Sequence, residues 1–328
     1  MRWHLPALVL LTVFLAVLSL HVGLRLHAPA TVWAALTAPD GGADALIISG
    51  LRLPRMVAAG VVGAALGVSG LLMQAVLRNP LAEPGLLGVN AGASFAVVFA
   101  FAVLGVSGFL ALSLFALAGA GAAMAAIFAL VLGARGALTP VSLVLAGVTL
   151  AAFLASLTQV LIVTDEGTME SLLFWLAGGF ADRDGAVLWA VAPLLVAGVA
   201  LAALSAGALD AMATGDATAR ALGVDTGRLR FLVLALASTL AGLSVVIAGP
   251  VGFVGLVAPH IARLMAGVAH ARLLPRTALI GASIALAADI AARRVVVPQE
   301  APVTATLALI GAPVLVSLVR SRRLRAAA

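Results

Sequence analysis

Few side chains in this sequence can do covalent chemistry. Cysteine and lysine are absent and all 19 basic residues are arginine. A thiolate nucleophile or Cys-ligated metal site is thereby excluded, and so is a Walker A loop, which needs a lysine on the β/γ-phosphates. ATP-driven work would require a second protein. Gly67-Val68-Ser69-Gly70 satisfies the G-x-S-G of intramembrane serine proteases, with His260 or His270 as base. Four residues in a glycine-rich run match that pattern by chance, and no second motif supports it. Asp289 is the one carboxylate set inside an apolar span, where ion-coupled transporters keep theirs. His260, between Pro259 and Arg263, reads as a ligand or proton carrier, or as a hydrogen-bonded structural residue at a helix break.

The remaining candidates are mechanical. In Leu77-Arg78-Asn79-Pro80-Leu81-Ala82-Glu83-Pro84-Gly85 two prolines prevent a continuous helix, and Asn79 before a proline favours extended backbone. In the loop 209–230, Asp216 can cap a short helix 217–222 that Gly223 ends in a left-handed C-cap, and Asp225 or Thr226 can cap a second one. That predicts an elbow of two short helices, suited to passing force to a partner or serving as a plain connector. The run 249–263 holds three glycines, two prolines and a His/Arg pair, which lipid would not tolerate unless protein encloses it.

These segments are positioned by apolar runs. Of the 328 residues 63% are hydrophobic and 10% charged, with mean hydropathy +1.21, against roughly 45–50% apolar and about 25% charged in soluble domains. The chain reads as an all-α polytopic membrane protein, a single domain over 1–328. Stretches able to cross about 30 Å of hydrocarbon run 5–24, 56–77, 86–106, 109–133, 141–163, 186–209, 231–248, 251–268, 277–292 and 303–319. Ten spans are expected, the eighth alternatively a re-entrant segment. Residues 1–30 also resemble a signal peptide ending at Ala28-Pro29-Ala30, but their apolar run is too long for an h-region of about 7–15 residues, and a retained helix is expected.

With ten spans both termini share one side, which then carries Arg2, Arg78, Arg135, Arg220, Arg228, Arg230, Arg263, Arg272, Arg276, Arg320, Arg322, Arg323 and Arg325. That excess makes it the cytoplasm and accounts for the high pI without nucleic acid. The other side holds Asp40, Asp44, Asp165, Glu166, Glu170, Asp182, Asp184 and Glu300, and Arg25, Arg52, Arg55, Arg183, Arg293 and Arg294. The arginine pairs 52/55 and 293/294 run against the topogenic bias and point to docking of an acidic partner, or to internal pairing with Glu300 or Asp289. Gly60, Gly63, Gly67 and Gly70 mark one helix face for close packing.

Several runs resemble one family. R-L-P-R at 52–55, G-A-A-L-G-V-S-G-L-L-M-Q at 63–74, R-N-P-L-A-E-P at 78–84, A-R-A-L-G-V at 219–224, G-F-V-G-L-V-A-P-H-I-A-R at 252–263, A-D-I-A-A-R at 288–293 and I-G-A-P at 310–313 are similar to the signatures of the iron-siderophore, haem and vitamin B12 ABC importer permeases (FecCD/BtuC type). The resemblance implies a homodimeric, non-catalytic permease in the lipid of a bacterial inner membrane. It also implies two copies of an ABC ATPase, which carry ATP and Mg, a periplasmic binding protein, and no cofactor or metal on this chain. It implies that 209–230 docks on the ATPase, through Asp216, Ala219, Arg220, Leu222 and Gly223. It places a cytoplasmic gate at Asn79 and Leu81, with Thr139 and Ser142 as a second candidate, and binding-protein docking at Arg52, Arg55 and Arg293. The sequence departs from the family at Glu300-Ala301-Pro302-Val303-Thr304, where E-L-P-[IV]-G is usual, which questions close packing there. Haem, ferric siderophore and cobalamin are not distinguished, with iron chelates ranked first as the commoner cargo. A secondary transporter is the alternative.

Overall fold

A computed structural model describes residues 4–23, 25–38, 41–133, 139–164, 172, 175–181, 185–296 and 300–320. Among these there are helices and turns and no strand. Arg2, Asp40, Arg135, Asp165, Glu166, Glu170, Asp182, Arg183, Asp184, Arg322, Arg323 and Arg325, all of which entered the expected sidedness, lie outside the described residues, as does the side chain of Arg320.

The helices are α1 (His4–His21), α2 (Pro29–Thr37), α3 (Leu53–Leu77), α4 (Val89–Ala102), α5 (Phe109–Gly133), α6 (Pro140–Thr164), α7 (Gly185–Ala202), α8 (Ala206–Ala213), α9 (Asp216–Ala221), α10 (Thr226–Ala248), α11 (Val254–Ala266), α12 (His270–Val295) and α13 (Val303–Arg320). Seven helical stretches among the described residues are long and apolar enough to cross a membrane; two are compound, Ala43–Leu77 and Gly185–Ala213. Of the other three expected spans, 86–106 and 251–268 hold the shorter apolar helices Val89–Ala102 and Val254–Ala266, and 303–319 holds α13.

Two of these are short for a visible reason. Before α4 the chain turns through 78–83 and a 3-10 turn at Pro84–Leu87, where the prolines deny the backbone a helix. Before α11 it runs irregularly from Gly249 to Phe253, with both residues at positive φ. This backbone is enclosed by protein, as expected: the Ala248 carbonyl accepts a bond from the Gly179 N–H, and Val251 and Val254 are buried.

α3 is the axis of the bundle. Sixteen of its residues are buried, and it packs on α10, α11 and α12. Three of its four marked glycines permit this. A side chain on Gly63 would strike the Gly281 carbonyl, one on Gly67 would come within 2.9 Å of the Thr277 oxygen, and one on Gly70 would overlap Gly255. Gly60 faces open space and takes no part. α4 and α5 meet in the same way through Gly92 and Gly119. Because lipid tails are as apolar as leucine, close backbone approach, rather than exclusion of water, drives such contacts.

α1 belongs to the bundle: the Thr12 hydroxyl lies 2.9 Å from that of Ser283 on α12. The departure at 300–304 does not loosen the fold. Thr304 places its Oγ1 3.4 Å from the Pro250 carbonyl oxygen, in space left by Gly178, where a Cβ would lie 2.8 Å from that hydroxyl.

Candidate functional site

The two ends of α3 carry two separate polar clusters. At its C-terminus the backbone of Arg78 turns left-handed, φ 47. Its Nη2 donates to the Met212 carbonyl at 3.0 Å and to Asp216 Oδ1 at 2.6 Å. The other Asp216 oxygen accepts from Arg230 Nη2 at 2.7 Å. Desolvation tends to raise the Asp216 pKa, but the Arg230 hydrogen bond and the charges of Arg230, Arg78 and Arg220 outweigh it and hold the carboxyl below the ordinary carboxylate range.

Of the two short helices expected in the elbow only the first forms as such, α9; the helix capped by Asp225 is the 23-residue α10. α9 is capped by Gly215, and Asp216 makes no capping bond; its carboxylate turns to the two arginines instead. Gly223 ends α9 at φ +83, with its N–H on the Arg220 carbonyl at 2.9 Å. Asp225 caps α10, accepting from the N–H groups of Gly227 and Arg228, each at 3.0 Å. Ala219 faces inward with no exposure, whereas Arg220, Gly223 and Leu222 are outward, Leu222 66% exposed.

Beside this cluster Asn79 accepts a bond from the Leu81 N–H at 3.0 Å, an Asx turn that holds Leu81 at 42% exposure. Glu83 accepts from the Phe253 N–H at 3.3 Å, tying the turn to the start of α11. Thr139 and Ser142 bond each other reciprocally at the N-terminus of α6, each backbone N–H 3.2 Å from the other's hydroxyl, in the manner of a capping box.

At the N-terminus of α3 the arginines point inward. Arg52 donates to the carbonyls of Leu20, His21 and Arg25 at 2.7, 2.9 and 2.8 Å. Arg293 donates to those of Ser19 and Val22, each at 2.9 Å. The last carbonyls of a helix lack partners within it and attract cations, so these two buried guanidinium groups cap the C-terminus of α1. Asp289, fully buried, binds Arg293 and accepts from Arg55 Nε at 2.8 Å; Arg55 Nη1 reaches Glu300 at 2.6 Å. The internal pairing weighed from sequence is the observed arrangement for Arg55 and Arg293, whereas Arg52 pairs with neither carboxylate and bonds main-chain carbonyls. Among the described residues Arg25 and Arg294 are the exposed arginines of this end, which also holds a cavity of about 390 Å³ lined in part by Arg25, Arg52, Arg55, Arg293 and Glu300.

The chemical alternatives lack their geometry. Ser69 donates its hydroxyl to the Ala237 carbonyl at 2.6 Å, and His270 Nδ1 lies 2.6 Å from Asp210, so serine and base engage other groups. His260 is half-buried within α11, and among the described residues no hydrogen bond reaches its ring. Among those residues no group of three or more His, Asp or Glu is placed to hold a metal ion. Sequence reasoning missed Arg78 and Arg230 as partners of Asp216, and the Asp210–His270 contact. None has a local signal, because each pair is joined only by the fold.

A bundle of apolar helices with small-residue crossings, two enclosed irregular segments and polar chemistry confined to positioning defines a polytopic membrane protein. The chain belongs to the FecCD transport family, which matches residues 10–321. It is 42% identical to the ferric enterobactin transport system permease protein FepD of Escherichia coli, over 97% of this chain and 95% of that one. To the Fe(3+)-citrate import system permease protein YfmD of Bacillus subtilis it is 41% identical, over 87% and 84%. A solved structure of a metal-chelate type ABC transporter in an inward-facing conformation superposes with a TM-score of 0.85 at 31% identity, covering 97% of this chain and 99% of that one.

Proposed function

We propose that the chain is the membrane-spanning subunit of an ATP-driven importer that carries a metal chelate across a bacterial inner membrane, as a homodimer with two ATPase subunits and a periplasmic binding protein. The observation that carries this reading is the elbow: α9 is anchored from behind by Ala219 and Asp216 and presents Arg220 and Leu222 outward, as a surface for an ATPase. The names of its relatives favour ferric siderophore or ferric citrate as cargo over haem and cobalamin.

In this reading α4, α11 and α13 complete ten crossings, the irregular segments ahead of the two short helices α4 and α11 supplying the missing depth, and both termini lie with the elbow in the cytoplasm. The turn at Asn79 and Leu81 is the cytoplasmic gate, with Thr139 and Ser142 beside the start of α6. The binding protein docks at the opposite end of α3. There Arg25 and Arg294 are free to steer it, while Arg52, Arg55 and Arg293 frame the surface and would reach acidic groups only by exchanging their internal contacts.

The rigorously purified subunit alone is expected to hydrolyse no ATP, since it has no lysine for a phosphate loop. Hydrolysis should appear when the ATPase subunit is added and rise further with loaded binding protein. Hydrolysis by the subunit on its own would refute the assignment.

A further inference from the structure

Arg78 adopts left-handed backbone, which is uncommon for a residue with a side chain, as the C-cap of α3. From that position its guanidinium reaches across to Asp216, 138 residues away. Asp216 in turn holds Arg230 through its second oxygen. One carboxylate thus joins the end of α3, the first turn of α9 and the second turn of α10. The Arg230 side chain is 9% exposed and that of Arg78 44%, so the first contact is a fixed anchor and the second can exchange. Arg78 is followed directly by Asn79, whose side chain shapes the turn that presents Leu81. With only six residues, α9 is too short to be stable alone and keeps its place through such contacts.

We propose that the Asp216–Arg78 ion pair is the joint that passes movement of the elbow to the turn at 79–81, with Arg78 and Asp216 as positioning residues. When α9 is displaced by a partner, the joint either draws Arg78 and the adjoining turn with it or parts a charge-assisted bond, which is stronger than a neutral one. Arg230 keeps Asp216 from rotating away, so displacement is transmitted. This deepens the proposed function and rests on its assignment of 209–230 to the ATPase.

The absence of cysteine makes Leu81→Cys a unique reporter of the turn. The assay is the rate of maleimide labelling of this variant, in the complex reconstituted with its ATPase, without nucleotide and with ATP plus vanadate. The two rates are expected to differ. Arg78→Gln should shrink that difference about five-fold or more, the lower range of ordinary coupling between sites, in a complex that still co-purifies with the ATPase. Asp216→Asn should act likewise, and the double variant should be no worse than either single one, as for two ends of one contact. Arg78→Lys should restore part of the difference. The joint is refuted if Arg78→Gln and Asp216→Asn leave the difference at the parental value, or if their effects simply add. If the parental Leu81→Cys complex shows no nucleotide-dependent difference, the gate and coupling reading falls and the joint falls with it.

Discussion

Asp289→Ala is expected to destabilise the subunit by about 3–5 kcal/mol, the usual cost of removing one partner from a buried ion pair. The carboxylate has no exposure and serves two arginines at once. Truncation leaves Arg293, 2% exposed, as an uncompensated buried cation, and Arg55 with Glu300 alone. The damage should spread beyond α12, because Arg293 also caps α1 and crowds Arg52 beside it. Thermal unfolding in detergent would read the loss as a large drop in midpoint. Asp289→Asn, which keeps shape and acceptor capacity on one oxygen, should fall between. Combining Asp289→Leu with Arg293→Met should recover part of the loss, since a matched apolar replacement of a buried pair is often neutral. A midpoint for Asp289→Ala within a degree or so of wild type would mean that the cluster is far more hydrated than its burial indicates.

The double substitution Arg220→Glu with Leu222→Asp should abolish transport without unfolding the subunit. Both side chains stand outside the core, Leu222 at 66% exposure, so insertion and dimer formation are expected to persist. In the assembled transporter, charge reversal at one position and a carboxylate in place of an apolar contact at the other should together remove about 2–5 kcal/mol of interface energy. Uptake is then expected to fall by well over about ten-fold. Normal uptake by this variant would make the elbow only a connector. The substitutions leave the Asp216–Arg78 bond itself in place, while Arg220→Glu changes one of the charges that act on Asp216.

Much of this architecture was legible because it is periodic or punctuated. Apolar runs located every long helix, prolines marked the breaks before α4 and α11, and Gly223 and Asp225 took the terminal positions that their chemistry favours. The limits were equally physical. Hydropathy cannot separate a helix from irregular backbone enclosed by protein, so 86–106 and 251–268 read as longer helices than form. Asp216 was expected to cap α9, since capping is the local use of an aspartate; its actual partners come from α3 and α10. The carbonyl partners of Arg52 and Arg293 on α1 left no trace in the sequence, because every residue carries a carbonyl. Gly60 shares a stripe with Gly63, yet only the second meets a neighbouring backbone.

The measurement closest to the central claim is accumulation of a radiolabelled ferric siderophore inside proteoliposomes. They would hold this subunit and its ATPase, with binding protein supplied on the opposite face from ATP. The account predicts accumulation that requires ATP and binding protein together and is indifferent to a collapsed proton or sodium gradient. Accumulation without ATP, driven by an imposed ion gradient and abolished when that gradient is collapsed, would contradict it and identify a secondary transporter.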